Sequence, residues 1–174
     1  LRRLLTHSAG VTVHGFPGYS QTDTFPSVVT VLNGSGNTPK IEVDTVPGAM
    51  WRYSGGGYTI AQKAVADVSG MAFAQYLDEN ILDPLGMTNS TYGQPLPEQY
   101  HESASAAYDR EGEIIEGLWH NYPELAAAGL WTTPTDLAKY CIAMQEVYAG
   151  QTSEVLSQAT VEKMLTKHLN NWGL

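Results

Sequence analysis

The sequence predicts a mainly α-helical domain that carries one short β-hairpin. Three stretches, YTIAQKAVADVSG, AFAQYLDENILDP and PTDLAKYCIAMQEVYAG, return apolar residues at helical spacing and stop at Gly or Pro. A single stretch, ASAAYDREGEIIEG, reads as two short strands turning at 109–112. No internal repeat or low-complexity run interrupts the 174 residues, a length that fits one domain spanning 1–174.

Residues 1–7 read as the end of a helix closed by Gly10, and residues 11–25 as a long turn-rich loop. Pro26 opens a short helix with Thr24 as its expected cap and Asn33-Gly34 as its stop. IEVDTV then alternates as a short strand candidate. Gly55, Gly56 and Gly57 stand directly before the next helix, whose expected buried face is Ile60, Ala64, Val65 and Val68 and whose expected C-cap is Gly70. Three consecutive glycines are costly in backbone entropy, so the chain must turn sharply there or let something approach closely. A further helix presents Phe73, Leu77, Ile81 and Leu82 and ends at Pro84. WHNYPELAAAGLWTT fits neither period and reads as an aromatic connector. The clearest helix follows, with Thr132 or Thr133 as cap, Pro134 in the first turn, Asp136 near the positive end of the dipole and Gly150 as stop. Cys141, in an apolar run of that helix, is expected to be a buried free thiol. SQATVEKMLTKH reads as a shorter last helix before NNWGL.

A hydrophobic content of 43 % excludes disorder, and a net charge of -9 with only 9 Lys and Arg argues against a nucleic-acid partner. One cysteine permits no disulfide within the chain. No apolar run is long enough for a membrane span, and the opening LRRLLTH starts in mid-helix pattern without Met, so the natural N-terminus is expected upstream.

No complete nucleophile set is present: there is no Gly-x-Ser-x-Gly and no Ser-x-x-Lys, and Thr160-Val-Glu-Lys163 has that spacing by chance on a surface helix. The glycines do not form a phosphate loop, since Ile60 stands where a dinucleotide fingerprint needs its last Gly. The five histidines show no metal-ligand spacing, so neither metal nor cofactor is expected. His7 and His14 can converge across a loop, but without nearby carboxylates they read as structural. His120, wedged among aromatics, reads first as a packing residue.

Four motifs, LLTHSAG, PGAMWRYSGGGYTIAQ, ILDPLGMTNST and AAAGLWTTPTDLAKY, in this order and spacing, resemble the central part of the serine β-lactamase-like hydrolases. That family includes class C β-lactamases, penicillin-binding proteins, DD-peptidases and related esterases. The resemblance implies the helical lobe of the β-lactamase/transpeptidase-like α+β fold, with the nucleophile helix upstream of Leu1 and the closing strands downstream of NNWGL. It makes Tyr53 the match of the family's catalytic Tyr, with Ser54 and Gly55 completing that element. The family's Asn is replaced by Gly55, which offers backbone groups alone and so favours an esterase, amidase or peptidase over a β-lactamase. Trp119, His120 and Tyr122 are candidate substrate-binding residues, with core packing as the alternative for each. A small-molecule or peptide substrate and the α/β lobe of the same protein are the expected partners, and an apolar lobe-facing surface predicts self-association of the chain on its own. The family alone points to a periplasmic, secreted or membrane-associated setting. The alternative is a non-catalytic binding or interaction module built on the same fold.

Overall fold

The computed structural model describes residues 1–153 and 155–168. NNWGL therefore lies outside the described residues, whereas the helix before it is described. In chain order the elements are α1 (Arg2–Leu5), α2 (Val28–Leu32), α3 (Gly55–Ser69) and α4 (Phe73–Leu77), a π turn (Asp78–Leu82), a 3-10 turn (Glu98–Ser103), then α5 (Leu125–Ala128), α6 (Pro134–Tyr148) and α7 (Gln158–Leu165). Strand structure is confined to isolated antiparallel bridges among the described residues, so the mainly helical reading holds.

α3 is the hub, packing against α1, α2, α4 and α5. Its start corrects the reading of the glycines: they are not ahead of the helix but form its first turn, capped by the Ser54 hydroxyl, which accepts from the Gly57 N–H at 3.0 Å. Their role is close approach. A Cβ on Gly56 would stand 2.7 Å from the Thr12 carbonyl oxygen and 2.9 Å from Ile41, and one on Gly55 would stand 3.0 Å from the Phe16 ring. The segment 12–16 thus lies directly on the helix end, beside a core of Ala9, Val11, Val31 and Ile41. Gly70, at φ 71, closes the helix in the left-handed conformation as expected.

The expected buried face of α3 is also corrected. The helix buries Gly55, Thr59, Ala61 and Gln62, while Val68 is 90 % exposed. Small and polar residues win because the neighbouring segments come close and offer polar partners. Thr59 donates to the Gly55 carbonyl, and the Gln62 amide donates to Pro123 O at 2.9 Å and accepts from Ala126 N–H at 3.1 Å, joining α3 to α5.

Other boundaries shift for local reasons. Ser27, not Thr24, caps α2, because its hydroxyl reaches the Thr30 N–H three residues on. α1 ends at Thr6, well before Gly10. IEVDTV forms only the bridge Val11↔Val43, since Val13 adopts φ 63 and turns the partner segment away. The hairpin does turn at Asp109, whose carboxylate accepts the Glu111 and Glu113 N–H groups, and it carries the bridge Tyr108↔Ile114. α6 starts at the Thr133 cap with Pro134 behind it, as expected. Cys141 is exposed rather than buried, because α6 packs through Asp136, Tyr140, Ala143, Met144 and Val147 and turns position 141 to the opposite side. α7 is capped by Ser157. No helix of the described residues is long and apolar enough to cross a membrane.

Among the described residues, two carboxylates are fully buried, with opposite surroundings. Asp136 accepts from Asn89 N–H at 2.7 Å, Ser90 Oγ at 2.9 Å and Lys139 Nζ at 2.7 Å; burial pushes its carboxyl up, but these partners outweigh burial and hold it below the ordinary range. Glu124, at the start of α5, has 0 % exposure and no hydrogen-bond partner for either carboxylate oxygen. Burial pushes it up to about 7, against a smaller downward pull from the dipole of its own backbone N–H.

Two stability predictions follow from this packing. Gly56→Ala lowers unfolding stability by about 1–3 kcal/mol through overpacking, although Ala is the better helix former. Gly57→Ala, whose Cβ would meet nothing nearer than 3.6 Å, is neutral or stabilising. Urea unfolding of the two variants checks this, and equal stabilities would refute the close-approach account. Because the folded Glu124 carboxyl binds its proton more tightly than the unfolded one, its contribution is full below the ordinary carboxylate range and is lost as pH rises through about 7. Between about pH 5 and about pH 8 the melting temperature of the natural chain should therefore fall by several degrees relative to Glu124→Gln. Parallel melting curves would contradict a buried, proton-holding Glu124.

Candidate active site

The Tyr53 loop reaches α3 under tight backbone control. Gly48 N–H donates to Ser8 O at 2.7 Å and Arg52 N–H to His7 O at 2.8 Å. The Ser54 N–H donates to His7 Nδ1 at 3.1 Å. The Arg52 guanidinium donates to Gly10 O at 2.9 Å and forms an ion pair with Asp44. That pairing holds the Asp44 carboxyl below its usual range. Residues on both sides of Tyr53 are thereby fixed, whereas its own ring stays 45 % exposed.

Tyr53 lies between two imidazoles, with ring centroids 4.3 Å from His7 and 4.8 Å from His14. Tyr53, Arg52 and Trp51 on one side and Val11, Thr12, Val13 and His14 on the other line an open groove of about 480 Å³. His7 sits beneath Tyr53, 5.3 Å from the Tyr58 ring, and its pKa is lowered by burial and then by the neighbouring His14. The Tyr58 hydroxyl donates to Leu5 O at 3.0 Å, and burial raises its pKa, helped by Tyr53.

The other residues named from sequence take different places. The Ser54 hydroxyl is buried; it donates toward Thr12 O at 2.7 Å and Val13 O at 3.2 Å while accepting from Gly57 N–H. Its proton is committed to these two carbonyls and its oxygen to the cap. Gly55 is buried too, and its N–H donates to His14 O at 3.0 Å. The first amides of α3 thus serve the chain itself, which leaves the helix end closed to an anion. Trp119 is buried, edge-on to Trp131 at 5.5 Å and to His101 at 5.3 Å. His120 and Tyr122 flank Gly18, with His120 Nδ1 3.0 Å from Pro17 O. Burial and then the nearby Glu124 raise the Tyr122 phenol. The segment 14–18 links this pair to the Tyr53 groove, a span of four residues and at most about 14 Å.

Sequence reasoning paired neither His7 nor His14 with Tyr53 and passed over Glu124. The contacts join positions too distant in sequence for any local pattern. Among the described residues Lys40, Lys63 and Lys139 are all paired with carboxylates, and none lines the groove. Arg52 is its one cation, and Asp44 engages it. No three metal-ligating side chains converge among the described residues.

Comparison with known proteins places the chain in a family. PbpX of Bacillus subtilis (strain 168), provisionally designated a penicillin-binding protein, is 24 % identical over 170 residues, covering 95 % of this chain and 39 % of PbpX. The octameric penicillin-binding protein homologue from Pyrococcus abyssi superposes with TM-score 0.64 at 25 % identity, over 95 % of this chain and 38 % of that one. The D-amino acid amidase from Ochrobactrum anthropi SV3 gives TM-score 0.73 at 23 % identity, over 94 % and 45 % respectively, a likeness of fold. The chain therefore spans about two-fifths of the length of these proteins. The sequence profile described as Beta-lactamase matches residues 1–173, and the chain belongs to the Beta-lactamase family.

Proposed function

We propose that this chain forms the tyrosine-bearing side of a serine-hydrolase active site that works through an acyl-enzyme. The observation that carries the reading is Tyr53 itself: a phenol exposed on a groove, on a loop pinned at residues 52 and 54, beside a serine whose hydroxyl is already committed. In this reading a Ser and a Lys from the remainder of the full-length protein meet Tyr53 across the groove. The Ser Oγ attacks a carbonyl, backbone N–H groups hold the oxyanion, and the leaving group departs with a proton relayed through the Tyr53 hydroxyl. Water then attacks the acyl-enzyme by the reverse relay. A phenol with an ordinary pKa of about 10 needs a nearby cation for this work, and the groove's own Arg52 is neutralised by Asp44, so the Lys must come from elsewhere.

The substrate is an ester, amide, peptide or β-lactam carbonyl. Gly55 brings no side-chain amide to the groove, which favours the first three. His120 and Tyr122, four residues along the shared segment, are the proposed contacts for the acyl part, with Trp119 packed behind them. The names of the relatives favour a periplasmic, secreted or membrane-associated setting. Exposed apolar side chains such as Leu1, Val46 and Val68 fit a surface that an adjoining lobe or a second copy covers.

Covalent labelling of the full-length protein with fluorescent fluorophosphonate and fluorescent penicillin tests the reading. We expect labelling of the parent, none of this chain alone, and labelling by Tyr53→Phe slowed by about 100-fold or more. A parent that labels with neither probe would instead support a binding module of the same fold.

A further inference from the structure

We propose that His7, in its neutral form, is the positioning residue that sets Tyr53, an inference that rests on the catalytic role assigned to Tyr53 above. Three contacts grip the three residues 52–54 in turn. The His7 carbonyl accepts the Arg52 N–H at 2.8 Å, the His7 ring lies against the Tyr53 ring at 4.3 Å, and His7 Nδ1 accepts the Ser54 N–H at 3.1 Å. One residue thus holds the backbone before and after the phenol as well as the phenol itself.

The ring contact fixes chemistry as well as position. Because Nδ1 accepts a backbone N–H, the proton of neutral His7 sits on Nε2. A second proton would have to enter at Nδ1, where it would face the Ser54 N–H and break that bond. The groups around the ring oppose the charge as well. His14 lies across Tyr53, and Arg3 of α1 and Arg52 line the same small cavity as His7. Tyr58 of α3 and Trp51 are its other ring neighbours, and Asp44 is engaged by Arg52. No carboxylate contact to the His7 ring is found among the described residues.

The backbone supports the assignment. His7 adopts φ 54 and Val13 φ 63, left-handed conformations that are unfavourable for residues with a side chain and worst for a β-branched one. Both serve this junction: His7 grips the loop, and the Val13 carbonyl accepts the Gly56 N–H at 3.1 Å. Of the three non-glycine residues with positive φ among the described residues, His7, Val13 and Leu118, two meet at this junction, where the strain serves to hold the loop.

The test uses the full-length protein with its best ester or amide substrate. His7→Leu should lower kcat by about 100-fold with KM changed by less than about 3-fold, since a misplaced group about 1 Å from its working position loses that much. His7→Asn, whose amide oxygen can accept the Ser54 N–H, should recover most of kcat and lose the acid limb of the natural profile, which lies below the ordinary His range. In uniformly 15N-labelled protein, His7 should show the Nε2–H tautomer, and the Ser54 amide resonance should move with its titration. Unchanged kcat in His7→Leu while Tyr53→Phe is slow would overturn the inference and spare the catalytic reading. An Nδ1–H tautomer, or a Ser54 amide indifferent to the titration, would overturn it even if His7→Leu failed to fold. If Tyr53→Phe and His7→Leu both turned over normally, the catalytic reading itself would fall.

Discussion

The first turn of α3 is the junction on which the rest of the molecule depends. A helix begins with N–H groups that have no partner inside it, and here they are taken by a neighbouring chain segment: Gly55 by the His14 carbonyl, Gly56 by that of Val13, Gly57 by the Ser54 hydroxyl. Carbonyls approach this closely only where the helix has no side chains. The glycine triplet is thus a docking surface for the chain's own backbone, and the entropy it costs is offset by a helix end that is fully hydrogen-bonded and covered.

Two further layers build on that junction. The segment running through residues 10–12 exchanges hydrogen bonds with residues 42–44, closing the small core around Val11, Val31 and Ile41. The Tyr53 loop is then held by His7, Ser8 and Gly10, at the start of the same segment. The consequence is a tyrosine that is exposed yet has little freedom to wander, which is what a proton relay requires. Ser54 shows how economical the arrangement is, since one hydroxyl caps the helix and ties two carbonyls of the docked segment.

Much of this was legible in the sequence, and the failures share a cause. The presence of α3 and α6, the Thr133 cap, the Gly70 stop and the turn at Asp109 are local signals, written within a few residues of where they act. The buried face of α3 was not legible, because hydrophobic periodicity cannot announce a face made of Gly55, Thr59 and Gln62. Ser27 was passed over for Thr24 because Pro26 was read as the first helical residue, when the helix begins two positions later. Family resemblance singles out Tyr53 as a candidate, but its setting beside His7 and His14 depends on three separate segments meeting. Glu124 sits in an apolar run where nothing marks an acid as buried and unpaired.

Val13 and His14 are docked through their carbonyls on the Gly56 and Gly55 amides of the first turn of α3. Amide hydrogen exchange at Gly55 and Gly56 measures that docking directly, since first-turn amides of an undocked helix exchange with solvent almost freely. The account predicts protection at both positions comparable to that of the middle of α3, lost together with it on unfolding. Rapid exchange at Gly55 and Gly56 under conditions where the middle of α3 is protected would contradict it.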